Sequence, residues 1–284
     1  MKIFKKIIKI AGIVLLIVFI GLYSAAYWFL SPESDTSITE KLKNPYSTVY
    51  LEHHIFRGFD YRVVSMQQQP DTTLPTLVFV HGSPGSILDY KRYFKDSLLN
   101  SKANMIGYER VGYGLKNTGE VQSLNFEVDL LNEVTKSLLP EKTVLVGYSY
   151  GGTVVLASPR DYKNKVAIAA AVDAGLEPMF WVLKFYNWKL TRWLIPKKLQ
   201  AATKEKYMHL QELPEYKDKW NTSPAPILDI QGNSDRIVPY NNSMVLQKLI
   251  TPDKFKLITL NDTGHELIWT KFEEIRNEIL KTLE

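Results

Sequence analysis

The sequence predicts an α/β protein: a doubly wound, mostly parallel sheet with an inserted helical cap, preceded by one N-terminal transmembrane helix. Three observations predict it: short apolar runs alternating with helical segments after Pro75, an uncharged stretch from Ile10 to Leu30, and a long insertion between two late apolar runs. With 284 residues, 45% of them apolar, the chain can bury one large core.

The N-terminal stretch comes first. Ile10 to Leu30 contains no charged residue and, rising ~1.5 Å per residue, reaches roughly 31 Å as a helix, a bilayer's hydrocarbon thickness. Lys2, Lys5, Lys6 and Lys9 precede it, while Glu33 and Asp35 follow, so the expected topology is N-terminus inside and bulk on the periplasmic or extracellular side. A cleaved signal peptide, with Ser24 and Ala26 at small-residue spacing, is the competing reading and would give a secreted protein. The apolar stretch continues through Tyr27, Trp28, Phe29 and Leu30, which suits an interface belt and favours a retained anchor. Residues 1–30 are thus read as anchor or signal segment. Residues 31–47 turn polar, with Pro32 and Pro45 as breakers, and are read as a linker.

The core is expected over 48–176 and 223–284. "TVYLEHHIF" and "FDYRVVSM" flank Gly58 and predict an antiparallel hairpin. "TLVFV", "ANMIGY", "TVLVGY", "KVAIAAAV", "PILDI" and "KLITL" then predict parallel strands buried on both faces. In such a sheet, ligands bind beyond the carboxyl ends of the strands. Those ends read "HGSPG" (81–85), "YERVGYG" (108–114), "GYSYG" (147–151), "GNSDRIVP" (232–239) and "NDTGHEL" (261–267).

Together these motifs resemble the α/β-hydrolase superfamily, in its serine-nucleophile branch with an HGxPG oxyanion loop, from about Thr48 to Glu284. The resemblance implies a triad in the order Ser149, Asp235, His265. A serine hydroxyl needs a base to become nucleophilic, and His265, on the loop after the last strand, is the expected base. Asp235 would orient it and stabilise its charged form. Asp173, after the sixth strand, and Asp229, inside the seventh, compete as the acid; for Asp173 the plain alternative is a cap. The implied oxyanion donors are the amides of Tyr150 and Ser83, since Pro84 has none to give. Among the other histidines, His81 is expected to support the loop that it opens, and His53, His54 and His209 to be solvated or structural. "YERVGYGLK" departs from the family at Glu109 and Lys116, where many relatives carry aspartate and serine. A serine at 149, rather than the aspartate of dehalogenases and epoxide hydrolases, implies acyl transfer to water.

Residues 177–222 form an insertion far longer than an ordinary connection and are expected to be a helical cap. Its rings, Phe180, Trp181, Phe185, Tyr186, Trp188 and Trp193, are enough to roof an apolar pocket, and most are expected to pack the cap onto the core. A few could touch substrate or, with the nearby lysines, rest on a membrane surface. No acidic pair in the cap stands out as a holder for a substrate ammonium group.

Composition narrows the function. The net charge is +5, but four lysines precede Ser31, leaving about +1 beyond it, and no aromatic-interleaved basic stripe occurs, so nucleic acid is not an expected partner. Lys197 and Lys198 are read as a solvated face. Without cysteine there are no disulfides and no thiolate metal sites. No G-x-G-x-x-G follows a first strand and no H-E-x-x-H occurs, so no cofactor is expected. The expected function is cleavage of a lipid-like or small acyl ester by a membrane-anchored serine hydrolase. A proline-iminopeptidase-like aminopeptidase and a noncatalytic ligand-binding hydrolase fold are the alternatives.

Overall fold

A computed structural model describes residues 2–284. Helix α1 (Lys2–Phe29) is long and apolar enough to cross a membrane, and none of its apolar span is buried against the rest of the protein. Helix α2 (Asp35–Leu42) follows, then strands β1 (Tyr50–Phe56), β2 (Phe59–Ser65) and β3 (Thr76–Val80). Short helices α3 (Lys91–Phe94) and α4 (Ser97–Lys102) lead to β4 (Asn104–Tyr108), α5 (Leu124–Val134), β5 (Thr143–Tyr148), α6 (Tyr150–Ala157) and β6 (Asn164–Ile168). The insertion contains α7 (Trp181–Asn187) and α8 (Lys197–Tyr216), after which β7 (Ile227–Gly232), α9 (Asn241–Leu249), β8 (Phe255–Leu260), α10 (Leu267–Thr270) and α11 (Phe272–Leu283) complete the chain.

The eight strands form one sheet in the order β1-β2-β4-β3-β5-β6-β7-β8. β1 and β2 are antiparallel, joined at Arg57 and Gly58, both at positive φ, and β2 pairs antiparallel with β4. The remaining pairs are parallel. All residues of β3, β4, β5 and β7 are buried, because helices cover both faces. One core lies under α5, α6 and the cap; the other packs Phe79, Tyr93 and Phe94 against Phe272, Ile275 and Ile279 of α11. The chain leaves β3 towards β4 on one side and enters β5 on the other. The crevice at this reversal lies between the ends of β3 and β5.

One expectation is corrected. Residues 31–47 are not a free linker, since α2 buries Ile38 and Leu42 completely in the second core and Ser34 caps its first turn. The cause is an i,i+4 apolar pair on a single short helix, a signal too brief for periodicity to reveal. Arg62 fastens the same segment, donating to the Glu33 carbonyl and to Asp35, both at 2.8 Å.

Candidate active site

Ser149 stands between β5 and α6 at φ 53° and ψ −120°, a conformation that non-glycine residues rarely hold. The sharp turn requires backbones to touch: a Cβ at Gly147 would collide with the Gly151 carbonyl, and one at Gly151 with the Val80 carbonyl. This is the physical content of "GYSYG": glycines let strand and helix meet so that the serine protrudes above the sheet edge.

The structure brings Ser149, His265 and Asp235 together. His265 Nε2 lies 3.0 Å from Ser149 Oγ, and its Nδ1 lies 2.7 Å from Asp235 Oδ2. Asp235 is itself held by the amides of Ile237 and Val238 at 2.8 and 2.9 Å, and by Gln231 Nε2 at 3.2 Å. With Nδ1–H donated to the carboxylate, Nε2 is left to accept from serine. The loop carrying His265 is pinned by Tyr148, whose hydroxyl donates to the His265 carbonyl at 2.7 Å. Asp173 stays apart, accepting from the Gly175 amide at 2.8 Å as a cap, and Asp229 is buried inside β7 and makes no hydrogen bond to His265.

Ser83 and Tyr150 both border the cavity beside Ser149, and neither amide donates to a protein acceptor among the described residues. Ser83 is positioned from below. Its Oγ lies 2.7 Å from Tyr113 Oη, which donates to Glu205 at 2.6 Å. His81 is fully buried; its Nδ1 donates to the Gly82 carbonyl at 2.8 Å and its Nε2 accepts from the Arg110 amide at 3.0 Å. Burial first, and the Arg110 charge second, hold this imidazole well below its ordinary pKa, so it is a neutral strut. Arg110, fully buried over the Tyr150 ring at 4.1 Å, ties the loop after β4 to Glu205 of the cap.

Four readings of the cap change. Trp181, Trp193 and Trp188 are 79%, 72% and 56% exposed, so these rings do not pack the cap onto the core. The cavity beside Ser149, of about 60 Å³, is instead covered by Ala202, Glu205, Lys206 and His209 of α8. His209 is buried rather than solvated: it stacks on Tyr150 at 4.6 Å, and its Nδ1 lies 4.0 Å from the Glu177 carboxylate. Its place on the inward stripe of α8 at i+4 from Glu205 was a signal the sequence carried. Two cap carboxylates, Glu177 and Glu205, do line the cavity, but each is paired, with Lys206 and with Arg110. Burial raises the Glu177 carboxyl, and His209 and Lys206 outweigh that to leave it below its ordinary range. Lys198 is buried, unlike exposed Lys197, because the first turn of α8 directs it inward; burial lowers its pKa, against the pull of Glu109 and Asp89.

With this geometry in hand, the sequence model of the prolyl oligopeptidase family matches residues 107–283, more than half of the chain and the span that holds Ser149, Asp235 and His265. The chain belongs to the prolyl oligopeptidase family. This family member is also 24% identical over 200 residues to the uncharacterized protein YfhR of Salmonella typhi. That match covers 66% of this chain and 64% of the relative, so the chain spans less than two thirds of that relative's length. Among solved structures, a thermophilic esterase superposes with a TM-score of 0.64 at 15% identity, covering 83% of this chain and 98% of its own. A membrane phospholipase A described as a bacterial virulence factor gives 0.60 at 13% identity, covering 95% and 96%. These likenesses place the prolyl oligopeptidase family member within the α/β-hydrolase fold, with the doubly wound sheet that its sequence predicts.

Proposed function

We propose that the protein is a membrane-anchored serine hydrolase that cleaves a carboxylic ester, of a lipid-like or small acyl group, through an acyl-enzyme. The observation that carries this reading is the 3.0 Å approach of His265 Nε2 to Ser149 Oγ, with Asp235 behind the ring. Ser149 Oγ attacks the ester carbonyl while His265 takes its proton, and Asp235 holds the tautomer and stabilises the imidazolium. The Ser83 and Tyr150 amides donate to the oxyanion. Collapse expels the alcohol with the proton from His265, and water, deprotonated by the same ring, releases the acid. Residues 48–176 and 223–284 form the catalytic core in this reading, and 177–222 cap it.

α1 serves as the retained anchor, with its N-terminus inside and the core on the periplasmic or extracellular face. The likeness to a membrane phospholipase over 95% of the chain supports a membrane setting. Ester rather than amine recognition is supported by the pairing of both cap carboxylates, which leaves little uncompensated negative charge for an ammonium group.

A second reading, an aminopeptidase or amidase similar to proline iminopeptidases, draws support from Glu177 and Glu205 in the cavity and from the peptidase family itself. The experiment uses the full chain in detergent. A fluorophosphonate probe is expected to label wild type and not Ser149→Ala, and p-nitrophenyl esters to turn over faster than amino-acid anilides. Equal labelling of both chains would refute Ser149 as nucleophile; no labelling of either would favour a noncatalytic ligand-binding fold. Faster anilide turnover would favour the peptidase reading.

A further inference from the structure

We propose that the exposed aromatic and basic face of the cap lies on the anionic surface of the bilayer that holds α1. The inference rests on the anchored reading of α1 and adds a second membrane contact, made by the catalytic body itself. Trp181, Trp193, Leu190 and Trp188 are 79%, 72%, 66% and 56% exposed within one thirteen-residue stretch of the cap. So many large apolar side chains exposed along one short stretch mark an interaction surface. Lys184, Lys189 and Arg192 are exposed among them, and no acidic residue occurs between Glu177 and Glu205. A groove of about 530 Å³ between α7 and α8 mixes the two chemistries, with Phe185, Trp188 and Tyr207 beside Lys184 and Lys189.

The start of α8, just after this stretch, lies near the end of α1. A cavity of about 790 Å³ is bordered by Trp28 and Phe29, where α1 ends, and by Lys198, five residues after Trp193. Residues 30–34 alone separate α1 from the packed helix α2, a span of at most about 18 Å at full extension. The start of the body at α2 is therefore held close to the outer end of α1. Aromatic rings with interleaved cations suit the headgroup region, where ring and aliphatic stem enter the acyl boundary and the charges meet lipid phosphate. A second copy of the chain would set the same cations against each other, so charge complementarity selects anionic lipid.

The chain has no cysteine, so a single introduced thiol reports one site. The full chain carrying Trp193→Cys, or Leu190→Cys if loss of Trp193 itself weakens docking, is labelled with an environment-sensitive fluorophore. It is reconstituted into phosphatidylglycerol or phosphatidylcholine vesicles. Leu139→Cys, 51% exposed before the opposite end of β5, is the control. The expected result is brighter emission at position 193 in phosphatidylglycerol, quenched by lipid-borne spin labels, with no change at 139. Replacing Lys184, Lys189 and Arg192 by glutamine should weaken docking by roughly fivefold per cation at low salt. Failure of the chain to float with vesicles would overturn the anchor and the docking together. Flotation without a gain at 193, an equal gain in phosphatidylcholine, or a gain that spin-labelled lipid does not quench would overturn the docking and leave the anchor standing.

Discussion

His265 and Asp235 are joined by a 2.7 Å hydrogen bond from Nδ1 to Oδ2, although 30 residues separate them in the chain. The carboxylate oxygens also accept two backbone amides and Gln231, so the group is held before it holds the ring. Asp235→Asn keeps the shape but offers an amide to Nδ1, which favours the wrong tautomer. The expected loss is on the order of 10³- to 10⁴-fold in kcat with little change in KM, measured on a p-nitrophenyl ester. A loss below tenfold would remove Asp235 from the triad.

Gly151 packs against the carbonyls of Val80 and His81, so strand β3 and helix α6 meet there without a side chain between them. Gly151→Ala must push backbone from backbone, which flexible side chains cannot absorb. The variant should lose about 2–4 kcal/mol of stability and its fluorophosphonate labelling together. A normal melting temperature with full labelling would contradict the close approach.

Tyr113 links the loop after β3 to the cap, lying 2.7 Å from Ser83 Oγ and donating to Glu205 at 2.6 Å. Tyr113→Phe leaves Ser83 and one Glu205 oxygen without that partner. A cost of about 1–3 kcal/mol and a fall on the order of tenfold in kcat are expected, since Ser83 is no longer held against the site. Thermal unfolding and steady-state kinetics of the same preparation check both.

Asp229 is 1% exposed, and burial pushes its carboxyl up to about 7. A raised folded-state pKa means the native protein holds a proton that the unfolded chain has released. Its contribution to stability is therefore complete below the unfolded value near 4 and falls as pH rises towards 7. Asp229→Asn removes this dependence. The variant should be more stable than wild type by on the order of 2–4 kcal/mol near pH 8, with the difference vanishing near pH 4. Melting curves at the two pH values decide it.

Much of the architecture was legible because strands buried on both faces must be almost wholly apolar, as "TLVFV" and "TVLVGY" are. The turn at Ser149 was legible for a related reason: only glycine at 147 and 151 permits the contact that the turn needs. The cap was not legible in the same way. Its aromatic residues read as core material, because hydrophobicity in a sequence does not say whether the partner is the protein's own core or another surface. Nor did residues 31–47 show that Ile38 and Leu42 enter the core, as a single i,i+4 pair makes no pattern.

The sequence by itself determined the order of elements, the apolar first helix and which strand ends carry Ser149, Asp235 and His265. Only the tertiary structure decided that these side chains lie within hydrogen-bonding distance and that Asp173 serves as a cap. It also decided that Glu177, Glu205 and His209 line the cavity beside the serine while Trp181, Trp188 and Trp193 face outward. Local pattern is written in neighbouring residues, whereas the meeting of groups up to 116 residues apart depends on how the sheet brings its strand ends to one edge.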